Sequence, residues 1–185
     1  MILTDREIRL SIEHELLLIE PRPQDAAFSS TSVDLTLASE LRTFNASTPG
    51  LDLVIDPSNP SYSFNNAIKQ ISSAATIDPI AGYQLNPGRL VLAWTEERVH
   101  LRSLARIAAR VEGKSSLARL GLAVHVTAPT VHAGFDGTIQ LEVINHGPAP
   151  IRLRAGMRIC QLIFEQTLGF PEVGYGGQFN QQTKK

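Results

Sequence analysis

Apolar and polar residues alternate with a period of two in many short segments of this chain, and glycine, proline or asparagine residues separate these segments. Alternation of this kind predicts half-buried β-strands, because successive side chains of a strand point to opposite faces of its sheet. The predicted strands follow one another about every ten residues, a spacing that favours an all-β sandwich or jelly roll with little helix. They span residues 32–37, 41–44 after a turn, 51–55, 83–85, 90–94, 99–101, 107–111, 124–127, 138–145, 151–153 and 158–164.

Two short helices are expected in addition to the strands. Thr4 and Glu7 precede the apolar Ile8 with the spacing of a capping box, which predicts an N-terminal helix that ends by residue 15. A second short helix is expected after the turn at residues 113–116. Residues 45–76 are rich in Ser, Asn, Pro and Ala, and we expect a loop-rich insertion there around the strand at 51–55.

The length and composition predict a single domain. A chain of 185 residues with 43% apolar residues is long enough to bury a core without disulfides or a structural metal. The one cysteine, Cys160, cannot form an intrachain disulfide or a CxxC zinc site, and we expect it in the core. Residues 170–185 are polar and rich in glycine. They predict either a disordered tail or a flexible C-terminal arm that closes over a ligand.

Charge and hydropathy narrow the possible partners. Seventeen basic and eighteen acidic residues give a formal charge of −1, which argues against a nucleic-acid polymer as the partner and leaves single phosphates possible. No segment approaches the roughly 20 apolar residues that a membrane span requires, and the N-terminus does not resemble a signal peptide. We therefore expect a cytoplasmic protein without a membrane partner.

Residues 113–122 carry the clearest chemical signal. This Gly-Lys-Ser-Ser-Leu-Ala-Arg-Leu-Gly-Leu stretch combines a glycine, a lysine, two hydroxyls and an arginine one helical turn later. Free amides at a helix start and cationic side chains favour phosphate oxygens. Glu142 stands further along in an otherwise apolar strand, where an ionised carboxylate is costly without a partner or a chemical role. Together the two features predict an active site for a ligand that bears phosphate.

Structural explanations of the same residues stay open at this point. Ser115 and Ser116 taken alone fit a helix cap, and Glu142 fits an interface salt bridge to Arg119. His125 fits a hydrogen-bonded histidine of the sheet as well as a catalytic acid.

The chain resembles the dCTP deaminase family of the trimeric dUTPase superfamily along most of its length. The specific features are the Gly-Lys-Ser-Ser-Leu-Ala-Arg run at 113–119 and Glu142 at the family's spacing from it. Weaker matches lie at 21–23, 32–35, 42–44, 86–88, 125–128, 134–135, 137, 141, 156–157 and 161–162. The resemblance implies a mainly β fold, a dUTPase-like jelly roll or distorted β-barrel.

The resemblance also implies a homotrimer with active sites at the subunit interfaces. Each site would bind dCTP or dUTP with Mg²⁺ on the triphosphate, and deamination would need no zinc. The single cysteine and five scattered histidines agree, because they offer no His/Cys/Cys set of the kind that zinc deaminases use.

The family's site residues carry over by position. Glu142 is implied as the general base that activates water for attack on C4 of cytosine. The Ser115 side chain and the Ala128 backbone would position that water, and Arg119 would orient Glu142 and keep it ionised. Lys114, Ser116 and, from the arm, Gln182 would contact phosphate oxygens. The remaining implied substrate-binding residues are His125, Val126, Thr127, His132, Phe135, Gln178 and Phe179.

The chain departs from the family pattern at two places. His132 occupies a position where the family usually has a carboxylate that contacts the sugar and helps to set the water for attack on phosphorus. An imidazole can still hydrogen-bond a hydroxyl, but its reach differs. In the arm, Gln178-Phe179 replaces a common Lys-Tyr pair, which removes one positive charge.

Three functions follow as hypotheses. The first is deamination of dCTP to dUTP and ammonia, in the supply of precursors for dUMP and dTTP. The second is a dUTP diphosphatase, or a bifunctional enzyme that releases dUMP and pyrophosphate, and His132 makes its motif incomplete. The third is a non-catalytic nucleotide-binding relative, against which the presence of Glu142, Ser115 and Arg119 argues.

Overall fold

The computed structural model describes residues 1–45, 54–172, 175–177 and 180–184, and this part of the chain is mainly β. Its strands are β1 (Leu17–Glu20), β2 (Phe28–Ser29), β3 (Ser32–Phe44), β4 (Ser72–Thr76), β5 (Tyr83–Leu85), β6 (Leu90–Leu101), β7 (Ile107–Gly113), β8 (Leu122–Val124), β9 (Asp136–Asn145), β10 (Ile151–Leu153) and β11 (Arg158–Gln166). Its α-helices are α1 (Asp5–Glu13), α2 (Phe64–Ile71) and α3 (Ser115–Ala118). None of the helices in these ranges has the length and apolarity that crossing a bilayer requires.

Nine of the described strands form one sheet that bends into a nearly closed barrel. Its main path runs β7-β11-β3-β6-β9-β8, with β1 paired to β6 and with β2 and β4 paired to β3. The end strands β7 and β8 come into contact, which brings the two edges of the sheet together. A separate pair, β5 and β10, completes the β structure of the described residues. The predicted mainly β, distorted-barrel architecture is therefore confirmed.

The interior of the barrel is apolar and closely packed. Cys160 lies there with no exposed surface, as predicted, and burial raises the pKa of its thiol. The N-terminal helix is also confirmed: α1 starts after Thr4, whose hydroxyl donates a hydrogen bond to the Glu7 carboxylate, and it buries Ile8 in the core. The largest fully buried side chains are Phe164, Ile8, Leu17, Leu35, Leu37, Leu41, Leu85, Leu101, Leu122, Leu141, Leu153 and Ile159.

Two pairs of predicted strands are in fact single long strands. The predicted turn before residue 41 was wrong, because β3 runs unbroken through Phe44 and only its register against β6 shifts, between Leu37 and Leu41. In the same way, the strands predicted at 90–94 and 99–101 are both parts of β6, whose register against β9 shifts between Trp94 and Arg98.

Hydrogen bonds to polar side chains hold the irregular part of β6 inside the sheet. Thr95 Oγ1 accepts a hydrogen bond from the Ile139 N–H at 2.9 Å. The buried Glu97 carboxylate accepts hydrogen bonds from Thr36 N–H at 2.9 Å and from Thr36 Oγ1 at 2.8 Å. Burial raises the pKa of the Glu97 carboxyl, and the bonds from Thr36 oppose that shift. Thr95 and Glu97, which follow the end of the strand predicted at 90–94, therefore belong to a bulge within β6.

The insertion at 45–76 contains more regular structure than predicted. Helix α2 and strand β4 lie within it, and β4 pairs antiparallel with β3 from Glu40 opposite Thr76 to Phe44 opposite Ser72. Residues 51–53 of the strand predicted at 51–55 lie outside the described residues, and 54–55 are not in a strand. The strand predicted at 124–127 is also shorter, since β8 ends at Val124 and a loop follows.

Candidate active site

Glu142 projects from β9 away from the barrel core. Along this strand Ile139, Leu141 and Val143 are buried in the core, so Gln140 and Glu142 lie on the opposite face. The Glu142 side chain keeps 29% of its surface exposed. The strand thus places a carboxylate, and an amide two residues before it, on one wall of a cavity.

His125 meets Glu142 at the end of β8. Its backbone adopts a left-handed conformation, with φ of 71°, which is uncommon for a residue other than glycine and directs the chain out of the sheet. The His125 N–H donates to the Glu142 carbonyl at 3.0 Å, and His125 Nδ1 lies 3.8 Å from Glu142 Oε2. Both of these side-chain atoms are buried, and neither has a hydrogen-bond partner among the described residues. Buried polar atoms without partners are costly, so the pair has the character of a ligand or water site.

A cavity of about 400 Å³ surrounds this pair, a volume within the usual range for small-molecule sites. Six of the sequence-predicted site residues line it: Glu142, His125, Ala128, His132, Phe135 and Gln182. The remaining walls include Phe64 and Ile68 of α2, which the sequence analysis had assigned to a loop. The fold therefore brings together predicted residues from β9, from the 125–135 loop and from the C-terminal arm.

The serine-rich turn lies elsewhere on the surface. Ser115 and Ser116 begin α3, Arg119 follows it, and all three are exposed and do not line the cavity within one chain. Leu120 beside them is 62% exposed. We call these four residues, 115, 116, 119 and 120, the serine ridge.

Lys114, just before the serine ridge, has a partner within the chain. Its Nζ contacts Asp34 Oδ1 at 2.6 Å, and Arg158 lies 3.6 Å from the other oxygen of the same buried carboxylate. Val126 and Thr127 are exposed in the loop after His125 and also lie outside the cavity lining. The predicted contacts of these residues with substrate remain predictions.

Residues 180–182 of the C-terminal arm run along the free edge of β9. The Gln182 carbonyl accepts a hydrogen bond from Thr138 N–H at 3.1 Å, and Gln182 Nε2 donates to the Thr138 carbonyl at 2.7 Å. The Gln181 N–H donates to the Asp136 carbonyl at 2.6 Å, and Lys184 Nζ pairs with Glu96 at 2.7 Å. Gln178 and Phe179, both predicted to bind substrate, lie outside the described residues.

Gln140 and Tyr175 are among the residues of the cavity wall that sequence reasoning did not single out. Gln140 lies on the same face of β9 as Glu142, and the polar-apolar alternation 140–142 is the signal that could have identified it. Tyr175 comes from the arm, where no periodic pattern points to it, and its ring stacks against that of His132 with centroids 5.2 Å apart.

Metal donors do not cluster in the described residues: no group of three or more His, Cys, Asp or Glu side chains is arranged to hold an ion there.

Similar proteins are known for almost the whole chain. A dCTP deaminase of Rhodospirillum rubrum is 39% identical over 165 residues, covering 89% of this chain and 82% of that protein. A protein of Methanosphaera stadtmanae named dCTP deaminase, dUMP-forming, is 35% identical over 175 residues, covering 95% of this chain and 84% of the relative.

Solved structures resemble the fold. The 2'-deoxycytidine 5'-triphosphate deaminase of Agrobacterium tumefaciens superposes with a TM-score of 0.66 at 23% identity, covering 89% of this chain and 48% of that one. This chain thus spans about half the length of that solved relative. A dUTPase of Staphylococcus bacteriophage 80alpha superposes with a TM-score of 0.51 at 12% identity, covering 88% of this chain and 97% of the dUTPase. At these identities the likeness concerns the fold alone.

The family model described as dCTP deaminase-like matches residues 2–167. Because that match and the curated relatives both extend over most of the chain, this protein belongs to the dCTP deaminase-like family.

Proposed function

We propose that this protein hydrolyses dCTP to dUTP and ammonia, with Glu142 as the general base. The observation that carries the proposal is the buried pair of Glu142 Oε2 and His125 Nδ1, 3.8 Å apart in the cavity and without partners among the described residues. A water molecule between two such atoms gains hydrogen bonds to both. The relatives named dCTP deaminase support the choice of substrate.

The reaction moves two protons, one from water to N3 and one from the new C4 hydroxyl to the 4-amino group, and one carboxylate can carry both. Glu142 takes a proton from water while the oxygen bonds to C4, and the C4–N3 π pair moves to N3, which receives that proton from Glu142. Glu142 then takes the proton of the new C4 hydroxyl and delivers it to the 4-amino group. The C4–N4 bond breaks, C4=O forms, and ammonia leaves.

The free edge of β9 offers a place for the cytosine ring. Backbone groups of Asp136 and Thr138 bond the arm, and the Glu142 carbonyl bonds His125, so these even-numbered residues turn their N–H and C=O away from β6. Gln140 stands between them and has the same orientation by the alternation of an antiparallel strand. Its C=O can accept a hydrogen bond from the 4-amino group of cytosine, which leaves N3 free for the proton that Glu142 delivers. We propose that the base binds there through its 4-amino group.

A second copy of the chain is proposed to complete the site. The serine ridge carries the hydroxyls and the guanidinium that the family chemistry requires, yet it lies outside the cavity of its own chain. Its exposed Leu120 and the nearby Val126, which are 62% and 53% exposed, are apolar surface that an interface would bury. In a homotrimer the ridge of one subunit would bring Ser115 to the water and Arg119 to Glu142 of the next.

The triphosphate is proposed to enter as its Mg²⁺ complex, so that the ion arrives with the substrate. Lys114, Ser116 and Arg119 on the ridge side and Gln182 on the arm side would then contact its oxygens. Lys114 can exchange its ion pair with Asp34 for phosphate, because Arg158 lies 3.6 Å from the same carboxylate and stays to balance it.

A bifunctional deaminase that releases dUMP is the second candidate. The observation in its favour is the Methanosphaera relative, whose name states dUMP formation. His132 argues against it, because an imidazole does not supply the negative charge that sets water for attack on phosphorus.

Product analysis separates these candidates. The purified protein is incubated with dCTP, dUTP, CTP or 5-methyl-dCTP plus Mg²⁺, and the products are resolved by chromatography. Ammonia with accumulating dUTP is the expected result. The appearance of dUMP and pyrophosphate supports the bifunctional enzyme, and tight binding of dCTP without turnover overturns the proposal.

Complementation tests the shared site. We expect Glu142→Gln and Ser115→Ala subunits each to lose activity when they assemble alone, whereas co-expressed hybrids would contain some sites with both residues intact. With random mixing in a cyclic trimer, about one quarter of the sites receive Glu142 from one subunit and Ser115 from its neighbour. We therefore expect roughly a quarter of the wild-type activity in the mixture. An inactive mixture would show that Glu142 and Ser115 act within one chain.

A further inference from the structure

The ring of His132 packs face to face with that of Tyr175, a residue of the C-terminal arm. The ring centroids are 5.2 Å apart and the planes differ by 29°. Phe135 contacts the same tyrosine in a tilted arrangement, with centroids 6.1 Å apart and an interplanar angle of 49°. Both distances lie in the range of favourable aromatic pairs. His132 and Phe135 thus form a two-sided aromatic seat for Tyr175.

Backbone hydrogen bonds fix the position of the turn that carries His132 and Phe135. The Phe135 N–H donates to the His132 carbonyl at 3.0 Å and closes a turn. Gly134 N–H and the Phe135 carbonyl bond Leu101 of β6 at 2.7 and 2.8 Å, so the turn is fixed to the barrel. A Cβ on Gly134 would lie 3.3 Å from the Tyr175 nitrogen, which shows how closely the arm backbone approaches this turn.

Tyr175 is connected in turn to the rest of the arm. Asn180 Nδ2 donates to the Tyr175 carbonyl at 3.1 Å, and Asn180 Oδ1 accepts from the Asp136 N–H at 3.1 Å. Gln182, two residues later, lines the same cavity as Glu142. The contact at His132 is therefore the first of a series that places Gln182 beside the proposed site.

The stacked rings also stand between two cavities. The cavity that contains Glu142 measures about 400 Å³, and a neighbouring one of about 450 Å³ is bounded by residues 167–171. His132 and Tyr175 line both. Separation of the two rings would open the Glu142 cavity toward its neighbour.

We propose that His132 is a positioning residue that holds the C-terminal arm over the Glu142 cavity by stacking on Tyr175. The expected effect on dCTP binding rests on the proposed function. The docking of the arm rests on the ring geometry alone. In this proposal the face of the His132 ring packs on Tyr175, a contact that a carboxylate at this position cannot make. The loss of one aromatic pair corresponds to a roughly three- to tenfold loss of affinity for a ligand that the arm encloses.

Two substitutions separate stacking from polar contact. His132→Ala removes the ring, whereas His132→Phe keeps a ring and removes both nitrogens. His14→Ala is the matched control, because His14 is an exposed histidine at the end of α1. His132 is itself exposed, so neither of its variants disturbs the core.

The first measurement needs no substrate. The chain has three tyrosines, Tyr62, Tyr83 and Tyr175, so ring-¹³C-tyrosine labelling gives a simple NMR spectrum in which Tyr175→Phe identifies the signal of interest. We expect the Tyr175 ring signal to move toward the free-tyrosine position in His132→Ala and to stay displaced in His132→Phe and His14→Ala. An unmoved Tyr175 signal in His132→Ala would overturn the docking proposal, whatever reaction the protein catalyses.

The second measurement is the KM for dCTP. We expect KM to rise about three- to tenfold in His132→Ala, with kcat within twofold and with rescue by His132→Phe. An equal rise in both variants would instead assign His132 a polar contact with substrate and overturn the stacking role. A wild-type protein that does not deaminate dCTP would refute the proposed function and leave the NMR result to decide the role of His132.

Discussion

Replacement of Glu142 by glutamine tests the general base with almost no change of shape. In the described residues Glu142 Oε2 accepts no hydrogen bond, and the side chain is 29% exposed, so the change breaks no bond at this atom that folding depends on. We expect the free energy of unfolding to change by less than about 0.5 kcal/mol. The amide cannot take a proton from water, and the loss of a general base lowers kcat by about 10²- to 10⁴-fold. That range corresponds to about 3–5 kcal/mol of activation free energy.

The assay is steady-state ammonia release at saturating Mg²⁺-dCTP, which gives kcat, with Kd measured by calorimetry on the same preparations. Binding should stay within about tenfold of wild type, because the amide keeps the size of the carboxylate. Glu165→Gln is the control: its carboxylate has a similar exposure of 35% and pairs with Arg110 on the outside of the barrel. A kcat for Glu142→Gln within tenfold of wild type, with the control unchanged, would refute the assignment.

Three further predictions concern the scaffold. Burial raises the pKa of Glu97 in the folded protein above its ordinary value of 4.5. As pH rises, the Glu97 carboxyl therefore ionises in the unfolded chain before it ionises in the folded one. The free energy of unfolding of the wild type consequently falls between pH 4.5 and the raised pKa. Glu97→Gln should therefore stabilise the protein more at pH 7 than at pH 4 in urea unfolding, and equal differences at the two pH values would contradict this reasoning. A Cβ on Gly137 would lie 2.8 Å from the Gln182 carbonyl oxygen, so Gly137→Ala should displace the arm, speed its removal by carboxypeptidase and raise KM for dCTP. Phe164→Ala should destabilise the fold by about 3–5 kcal/mol, because its fully buried ring leaves a cavity, and a loss below 1 kcal/mol in the same urea assay would refute this.

The alternation of apolar residues was enough to predict an all-β fold, whereas the barrel was implied by the family resemblance. The pattern failed where polar residues are used inside a strand. Thr95 and Glu97 interrupt the pattern of β6 because they bond Ile139 and Thr36 across a bulge, and a local pattern contains no information about those partners. Strand β4 was missed because its Ser-Ser-Ala-Ala-Thr sequence pairs at an edge and buries only Ser72. Helix α2 did leave a signal: apolar residues at 64, 67, 68 and 71 follow the helical period, although the surrounding Ser and Asn content concealed it.

The chemistry of single residues predicted Glu142 as a site residue, and the family resemblance supplied the other five predicted residues that line the cavity. Glu142 stood out as a charge in an apolar strand, and the structure places it beside a cavity. The 3.8 Å approach of His125 depends on a left-handed backbone at His125, and no pattern in the sequence specifies that conformation. Tyr175 was missed for a related reason, because its role comes from the turn at His132, which is more than forty residues away in the sequence.

The edge of β9 connects the arm, the proposed position of the cytosine base and the carboxylate of Glu142. An open strand edge leaves backbone donors and acceptors that need partners. On this strand the arm bonds Asp136 and Thr138, and the loop after β8 bonds Glu142, which leaves Gln140 facing the cavity between them. A base bound at Gln140 therefore displaces no hydrogen bond among the residues that the structure describes, and it extends a row of pairs whose two ends are already fixed. In the proposed mode of binding, the arm and the base restrict the same short strand segment. We therefore expect docking of the arm and binding of the base to favour one another.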